Sequence, residues 1–279
     1  MALIDTHVHA WNPTTLRYPW LDGDAELGQV LLPAAIDRGH SGVTGMVFVQ
    51  ADCLPEQGLD EARWVNGLEW PELAAIVAFA PVEDVALPGY LDELGDIGLV
   101  RGVRRLLQDE PLGFFDDDGL VAGLRELGTR GLTFDACVRH PQLDALLGLV
   151  GRVEGLTVVL DHLGKPPVAA GFASDAARAW RESIARLAAQ STVIAKLSGI
   201  APEAASGVDL AEQASPFISF AIEQFGVQRC MVGSDWPVSE FAPASTGYAS
   251  WFDIALQGLS PSEREHVAWR TASTTYSID

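Results

Sequence analysis

Cysteine and basic residues are both scarce in this chain of 279 residues. The three cysteines, Cys53, Cys137 and Cys230, lie far apart and form no Cys-x-x-Cys pair, which argues against a disulfide framework or a zinc knuckle. There are 18 Lys and Arg residues against 38 Asp and Glu, so the formal net charge is −20. Because phosphate contacts come from Lys and Arg, we expect neither a nucleic-acid partner nor binding to an anionic membrane surface.

Long apolar runs and nucleotide-binding loops are also missing. No apolar run reaches the ~18 residues that a membrane span needs, and the N-terminal MALIDTHVHA lacks the basic and apolar segments of a signal peptide. The sequence contains neither a GxGxxG nor a GxxxxGK(S/T) motif. We therefore expect a cytoplasmic protein without a nucleotide cofactor, whose acidity serves solubility.

Short apolar runs alternate with helical periodicity along the chain. Strands are predicted at 2–4 (continuing to residue 9), 45–49, 73–79, 99–106, 132–138, 156–160, 193–197 and 230–232, and helices at 120–127, 143–150, 176–189 and 210–225. Strands that alternate with helices indicate parallel β-α units. A (β/α)₈ TIM barrel needs roughly 250 residues. The predicted fold is therefore α/β, with one such barrel spanning residues 1–279.

A His-x-His pair, His7 and His9, follows the first apolar run. Residues i and i+2 of a strand point to the same side, so both imidazoles are expected at the barrel mouth, where barrel enzymes have their active sites. Neutral imidazoles suit Zn²⁺, Mn²⁺ or Fe²⁺, although ordinary packing also produces such pairs. Asp5 has two interpretations: it orients one of these histidines, or it caps the turn after the strand.

Two later strands also end in polar side chains. His162 comes after the run 156–160 and is either a site residue or a hydrogen-bonded core histidine. Asp235 lies in Gly-Ser-Asp-Trp-Pro after the last strand and is either a helix cap or a carboxylate that faces the histidine pair. In the second case it would be a metal ligand and a general base.

Several fragments together carry a family resemblance. They are 5–9 (DTHVH) with Trp11, 18–21 (YPWL), 49–51 (VQA), 101–104 (RGVR) with 107–108, 159–166 (VLDHLGKP), 195–199 (AKLSG) and 233–238 (GSDWPV). In order and spacing the chain resembles the amidohydrolase superfamily, and within it the sugar-acid lactonases of the L-fuconolactonase and L-rhamnonolactonase type. The resemblance implies a (β/α)₈ barrel with His7 and His9 on strand one, His162 on strand six and Asp235 on strand eight.

The fifth strand departs from the pattern of many superfamily members. They carry a metal-binding histidine there, whereas 132–138 offers Asp135 and Cys137. His140 lies beyond this run, and we expect it in a loop or at a helix start. The resemblance therefore implies at most one divalent metal ion, Zn²⁺ or Mn²⁺, held by His7, His9 and Asp235.

The implied reaction is the hydrolysis of a sugar-acid lactone. Asp235 would take the proton of the attacking water, and His162 would stabilise the oxyanion or serve as a further ligand. The expected substrate contacts are Gln50, Arg104, Lys196, Trp20 and Trp236. A strand-end turn remains open for Gln50, a structural ion pair for Lys196 and core packing for the tryptophans.

Two other functions remain open at this stage. The first is a metal-dependent non-oxidative decarboxylase of an aromatic or unsaturated acid, because superfamily relatives use the same barrel for that reaction. The missing histidine on strand five favours hydrolysis over this alternative. The second is a barrel without catalytic activity. The sequence leaves homo-oligomer formation undecided, and the expected partner is a small-molecule substrate.

Overall fold

Eight parallel strands form a nearly closed barrel in the computed structural model, which describes residues 2–279. The strands are β1 Leu3–Val8, β2 Val43–Val49, β3 Leu73–Ala78, β4 Val100–Val103, β5 Thr133–Ala136, β6 Val158–Leu160, β7 Val193–Leu197 and β8 Cys230–Val232. Each strand pairs with the next one along the chain. The predicted (β/α)₈ barrel is therefore confirmed, although several strands are shorter than their apolar runs, which continue into buried loops.

Helices cover the outside of the barrel. They are α1 Gly58–Asn66, α2 Leu87–Gly95, α3 Asp118–Thr129, α4 Leu143–Val150, α5 Asp175–Ala188, α6 Leu210–Phe225, α7 Tyr248–Ala255, α8 Pro261–Glu265 and α9 Thr271–Tyr276. In α5, the Ser174 hydroxyl accepts from the first turn, and Trp180, Ile184 and Leu187 are buried at helical spacing. No helix among residues 2–279 has both the length and the apolar character to cross a membrane.

The closure of the barrel joins β1 to the segment that follows β8. The amide of Asp235 donates to the carbonyl of His7 at 2.8 Å, and the amide of His9 donates to the carbonyl of Trp236 at 2.8 Å. The Thr6 hydroxyl donates to the carbonyl of Val232 at 2.8 Å. These bonds hold the ends of the first and last strands in a fixed register, so side chains from both ends of the sequence meet at one edge.

The two ends of the barrel differ. A small apolar cluster fills the lower interior, with members from several strands such as Val47, Val159 and Met231. The C-terminal helix α9 adds Ala272 and Tyr276 to this cluster. Because this end is packed, the carboxyl ends of the strands are left for polar side chains and a cavity.

Candidate active site

Four predicted side chains converge at the carboxyl ends of the strands. The Nε2 atoms of His7 and His9 are 3.2 Å apart. Oδ1 of Asp235 lies 3.5 Å from Nε2 of His9 and 3.8 Å from Nε2 of His7. The same oxygen is 3.8 Å from Nε2 of His162. One carboxylate oxygen therefore faces three imidazoles that come from opposite parts of the sequence.

The hydrogen bonds of His7 and His9 fit a divalent cation. Nδ1 of His9 lies 2.7 Å from the carbonyl oxygen of Val49, so Nδ1 carries the proton and Nε2 keeps its lone pair. Nδ1 of His7 lies 3.3 Å from Oδ1 of Asp161, and Nε2 lies 3.3 Å from Nη1 of Arg104, a donor, so Nε2 of His7 is an acceptor too. Two such nitrogens bound to one tetrahedral zinc ion would be about 3.4 Å apart. With the Asp235 carboxylate beside them, they form a donor set suited to one metal ion.

Asp161 is a site residue that the sequence reasoning left without a role. It is fully buried, and Oδ1 lies 3.1 Å from Nζ of Lys196. Burial raises the pKa of Asp161, but Lys196 and His7 more than offset this and hold the pKa well below its ordinary value. The ionised carboxylate orients the His7 ring, as outer carboxylates commonly do for metal-binding histidines. Its position directly before His162 was the one available signal.

Asp235 is held as a carboxylate. The Ser239 hydroxyl donates to Oδ2 at 2.8 Å, which leaves Oδ1 facing the histidines. Burial alone raises the pKa of Asp235, but His162 and His9 outweigh it and lower the pKa below the ordinary value. Asp235 is therefore ionised at neutral pH, which is the state that a general base requires.

His162 is fixed by the strand next to its own. Its Nδ1 lies 2.9 Å from the Ser198 hydroxyl, which directs Nε2 toward Asp235. Gly199 packs against the ring, and a Cβ at this position would lie 2.2 Å from Nδ1. Burial lowers the pKa of His162 to about 4, so the ring is neutral at pH 7. Ser198 and Gly199 belong to the AKLSG fragment, yet their contact with His162 is visible only in the fold.

An open cavity of about 250 Å³ lies above these groups. It is lined by His9, Trp20, Ala51, Asp52, Arg104, Leu106, Gln108, Asp109, Cys137, His162, Lys165, Gly199, Pro202, Glu203, Asp235 and Val238. The wall therefore has two cations, four carboxylates and a few apolar side chains. Such a mixture suits a small polar molecule better than an apolar one.

Two of the expected substrate contacts line this cavity. Arg104 is almost fully buried and donates through Nη2 to the carbonyl of Gln50. Its Nη1 lies 3.3 Å from Nε2 of His7, so its charge is next to the proposed metal ligands. Trp20 is 39% exposed, and its indole nitrogen donates to the carbonyl of Ala51 at 2.8 Å. Its ring stands at the cavity mouth.

The other three expected contacts lie elsewhere. Lys196 is fully buried beneath the cavity, with Nζ 2.5 Å from Oδ2 of Asp135, so the ion-pair alternative describes it. Gln50 is buried directly after β2, and its side-chain oxygen Oε1 accepts from the backbone amide of Asp52 in a strand-end turn. Trp236 is 3% exposed and packs in the core beside β1 instead of lining the cavity.

Asp5 does not orient a histidine ring. Its Oδ1 accepts from the amides of His7 at 3.2 Å and Ser234 at 2.8 Å, and its Oδ2 accepts from the Tyr248 hydroxyl at 2.8 Å. The register of β1 against β2 shifts between Asp5 and Val8, so strand alternation does not relate Asp5 to His7. Asp5 lies within β1 and its carboxylate ties this strand to the segment after β8, so neither of the two interpretations describes its contacts.

Comparison with known proteins places this geometry in a family. The amidohydrolase family model matches residues 4–278. An L-fucono-1,5-lactonase from Burkholderia multivorans is 33% identical, covering 99% of this chain and 96% of that protein, and the one from Burkholderia ambifaria is 31% identical with the same shares. A crystal structure of an amidohydrolase from Burkholderia multivorans with bound zinc is 29% identical, has a TM-score of 0.88 and is matched over 100% of both chains. The chain therefore belongs to the amidohydrolase family, as its sequence fragments indicated.

Proposed function

We propose that this protein hydrolyses a sugar-acid lactone. The observation that carries the proposal is the convergence of His7, His9, His162 and Asp235 at the floor of a small polar cavity. An ionised carboxylate surrounded by neutral imidazoles is suited to activating water against an ester carbonyl. The two L-fucono-1,5-lactonases at 31% and 33% identity support the same reaction class.

The cavity favours a substrate without net charge. Asp52, Asp109, Glu203 and Asp235 contribute four carboxylates to its wall, whereas the cations are Arg104 and one lysine. The guanidinium of Arg104 is already engaged by Gln50 and by Asp161. A neutral lactone that carries hydroxyl groups meets both donors and acceptors here, whereas a dicarboxylate would be repelled. The volume of about 250 Å³ also suits a single sugar ring.

Asp235 is the proposed general base. Oδ1 accepts a proton from the attacking water as that water adds to the lactone carbonyl. The same oxygen then returns the proton to the ring oxygen as the carbon–oxygen bond breaks. The bond from Ser239 to Oδ2 keeps Oδ1 in place during both transfers. The products balance the reaction: one lactone and one water yield one hydroxy acid.

His162 and Arg104 are the proposed stabilisers of the oxyanion. His162 is held by Ser198, so its position does not have to be organised during the reaction. Arg104 adds a positive charge on the cavity wall. A divalent metal held by His7, His9 and Asp235 would supply Lewis-acid polarisation at the same place. Zn²⁺ is the proposed metal, with Mn²⁺ as the alternative.

The three cysteines bear on the compartment. Cys53, Cys137 and Cys230 are all buried free thiols. Free thiols are typical of a reducing environment. We therefore propose a cytoplasmic location for the reaction.

The experiment is a pH-indicator screen of aldonolactones, because lactone opening releases an acid. We expect turnover by the native protein and a loss of about 10²- to 10⁴-fold in kcat for Asp235→Asn. Asp253→Asn is the matched control, since Asp253 is exposed on α7 and pairs with His40. Circular dichroism checks that both variants retain the fold.

Three outcomes would overturn the proposal. Near-native turnover by Asp235→Asn would remove the assigned general base. Release of CO₂ from an aromatic or unsaturated acid would make the protein a decarboxylase. Absence of turnover on every lactone tested, with the native fold intact, would favour a barrel without catalytic activity.

A further inference from the structure

Four consecutive residues after β6 have left-handed backbone conformations. The φ angles are 54° at His162, 53° at Leu163, 69° at Gly164 and 50° at Lys165. Each non-glycine residue in this region costs about 1–2 kcal/mol, and runs of such residues are unusual. Strain of this kind persists where the surrounding structure imposes it, often at functional sites.

Contacts with two helices hold the left-handed turn at 162–165 in place. The indole nitrogen of Trp180 donates to the carbonyl of Leu163 at 2.8 Å. Gly164 lies against Leu143, and a Cβ on Gly164 would be 2.5 Å from a Leu143 methyl carbon. The side of the turn that faces away from the cavity is therefore held by two helices, α4 and α5, and these packing contacts offset the backbone strain.

The turn brings His162 and Lys165 to the same cavity. The amide of Lys165 donates to the carbonyl of His162 at 2.8 Å, closing a tight turn in which residues i and i+3 share a face. Both side chains line the cavity, whereas Leu163 between them is fully buried. The backbone that presents a catalytic histidine thus presents a lysine as well.

The ammonium group of Lys165 has free hydrogen-bonding capacity. It donates to the side-chain carbonyl oxygen of Gln108, which also lines the cavity. Among residues 2–279, Lys165 forms no ion pair with a carboxylate within 4.0 Å, and Gln108 takes one of the three hydrogens of its ammonium. Arg104, the other cation of the wall, is bound by Asp161 and by the carbonyl of Gln50. Of the two cations on the wall, Lys165 is therefore the one without a carboxylate partner among the described residues.

We propose that Lys165 binds a hydroxyl group of the lactone and sets the preference for hydroxylated substrates. This inference rests on the proposed function. A hydroxyl oxygen accepts from the ammonium, and its O–H can donate a hydrogen bond to one of the carboxylates on the wall, such as Glu203. A carboxylate on the substrate would be attracted by Lys165 but repelled by the four carboxylates of the wall, so a neutral hydroxyl group fits better.

The test compares two lactones with the same ring size. Lys165→Met keeps a side chain of similar length and the same backbone strain at a positive φ, but it removes the hydrogen-bond donors. For L-fucono-1,5-lactone we expect kcat/KM to fall by about 10- to 100-fold, mainly through KM, because a polar group built to bind a hydroxyl loses its partner. For δ-valerolactone, which has no hydroxyl groups, we expect kcat/KM to stay close to the native value. Arg178→Met, an exposed cation on α5, controls for the loss of a positive charge.

Two results would overturn the role of Lys165. One is an equal loss for both lactones, and the other is no loss for either. If the native protein opens no lactone, the proposed function fails first. Calorimetric binding of L-fuconate, the acid product, then decides: weaker binding by Lys165→Met supports the contact, whereas equal binding or none by either form rejects it.

Discussion

The contact between Gly199 and His162 yields the sharpest prediction. Gly199 has a φ of +60°, and an added Cβ would lie 2.2 Å from Nδ1, 2.5 Å from Cγ and 2.8 Å from Cε1 of the His162 ring. Ordinary van der Waals contact begins near 3.4 Å. In Gly199→Ala the imidazole must therefore move by about 1 Å, and a displacement of that size costs roughly 10²-fold in rate.

Gly207→Ala is the matched control. Gly207 also has a positive φ, +76°, and lies in the same β7-to-α6 connection, but a Cβ there would meet no heavy atom of the described chain within 4 Å. Both variants are destabilised by about 1–2 kcal/mol because alanine must adopt a left-handed conformation. Only Gly199→Ala also displaces the ring.

The assay measures lactone opening by a pH indicator and the unfolding free energy in urea. We expect both variants to lose stability to a similar extent, with a further loss in Gly199→Ala from the collision, and only Gly199→Ala to lose turnover. The bond between His162 and Ser198, 2.9 Å long, should break in the same variant. If Gly199→Ala turned over at the rate of Gly207→Ala, the placement of His162 by this glycine would be refuted.

Three other predictions concern stability and metal. Burial raises the pKa of Glu61 from 4.5 to about 7, so the folded state keeps a proton that the unfolded chain releases. The unfolding free energy should then fall by about 3 kcal/mol as the pH rises from below 4.5 to above 7. In urea titrations at pH 5 and pH 8, Glu61→Gln should lose much less stability between the two pH values than the native protein does. An equal difference in the two proteins would contradict this assignment. Lys196→Met leaves the buried Asp135 without its cation and Asp161 with Arg104 alone, and should cost about 3–5 kcal/mol, against less than about 1 kcal/mol for the exposed Arg178→Met; equal urea midpoints would speak against the buried network. Removal of metal by a chelator should lower both the melting temperature and the rate of lactone opening, and addition of Zn²⁺ or Mn²⁺ should restore them. Full activity in protein that elemental analysis shows to be metal-free would contradict a role for the metal.

The convergence of the four main site residues was predictable from the sequence. His7, His9, His162 and Asp235 each follow an apolar run, and the carboxyl ends of parallel strands meet at one edge of a barrel. Arg104, which the resemblance implied as a substrate contact, lines the cavity, whereas the neighbouring Arg105 does not and pairs with Glu83 and Glu110. The predicted helices 143–150 and 210–225 have the bounds found in the structure.

The partners of those residues were not predictable. Asp5 and Asp161 both lie close to histidines in the sequence, but the carboxylate of Asp5 faces backbone amides, whereas that of Asp161 faces the His7 ring. Lys196 was expected at the cavity, but its depth along β7 depends on Asp135, more than 50 residues away, which binds it below the cavity floor. Trp236 was expected as a substrate contact. Its backbone instead forms a β-bridge with Val8, and its side chain packs in the core.

The sequence by itself determined the barrel, the edge at which the chemistry lies and the residue types that carry it, because apolar periodicity and strand ends are local properties of the chain. The tertiary structure decided which nitrogen faces which oxygen. A left-handed turn at 162–165, a bulge in β1 and a glycine under an imidazole each set the direction of a side chain through contacts between distant segments. Such directions depend on packing, which no local pattern encodes.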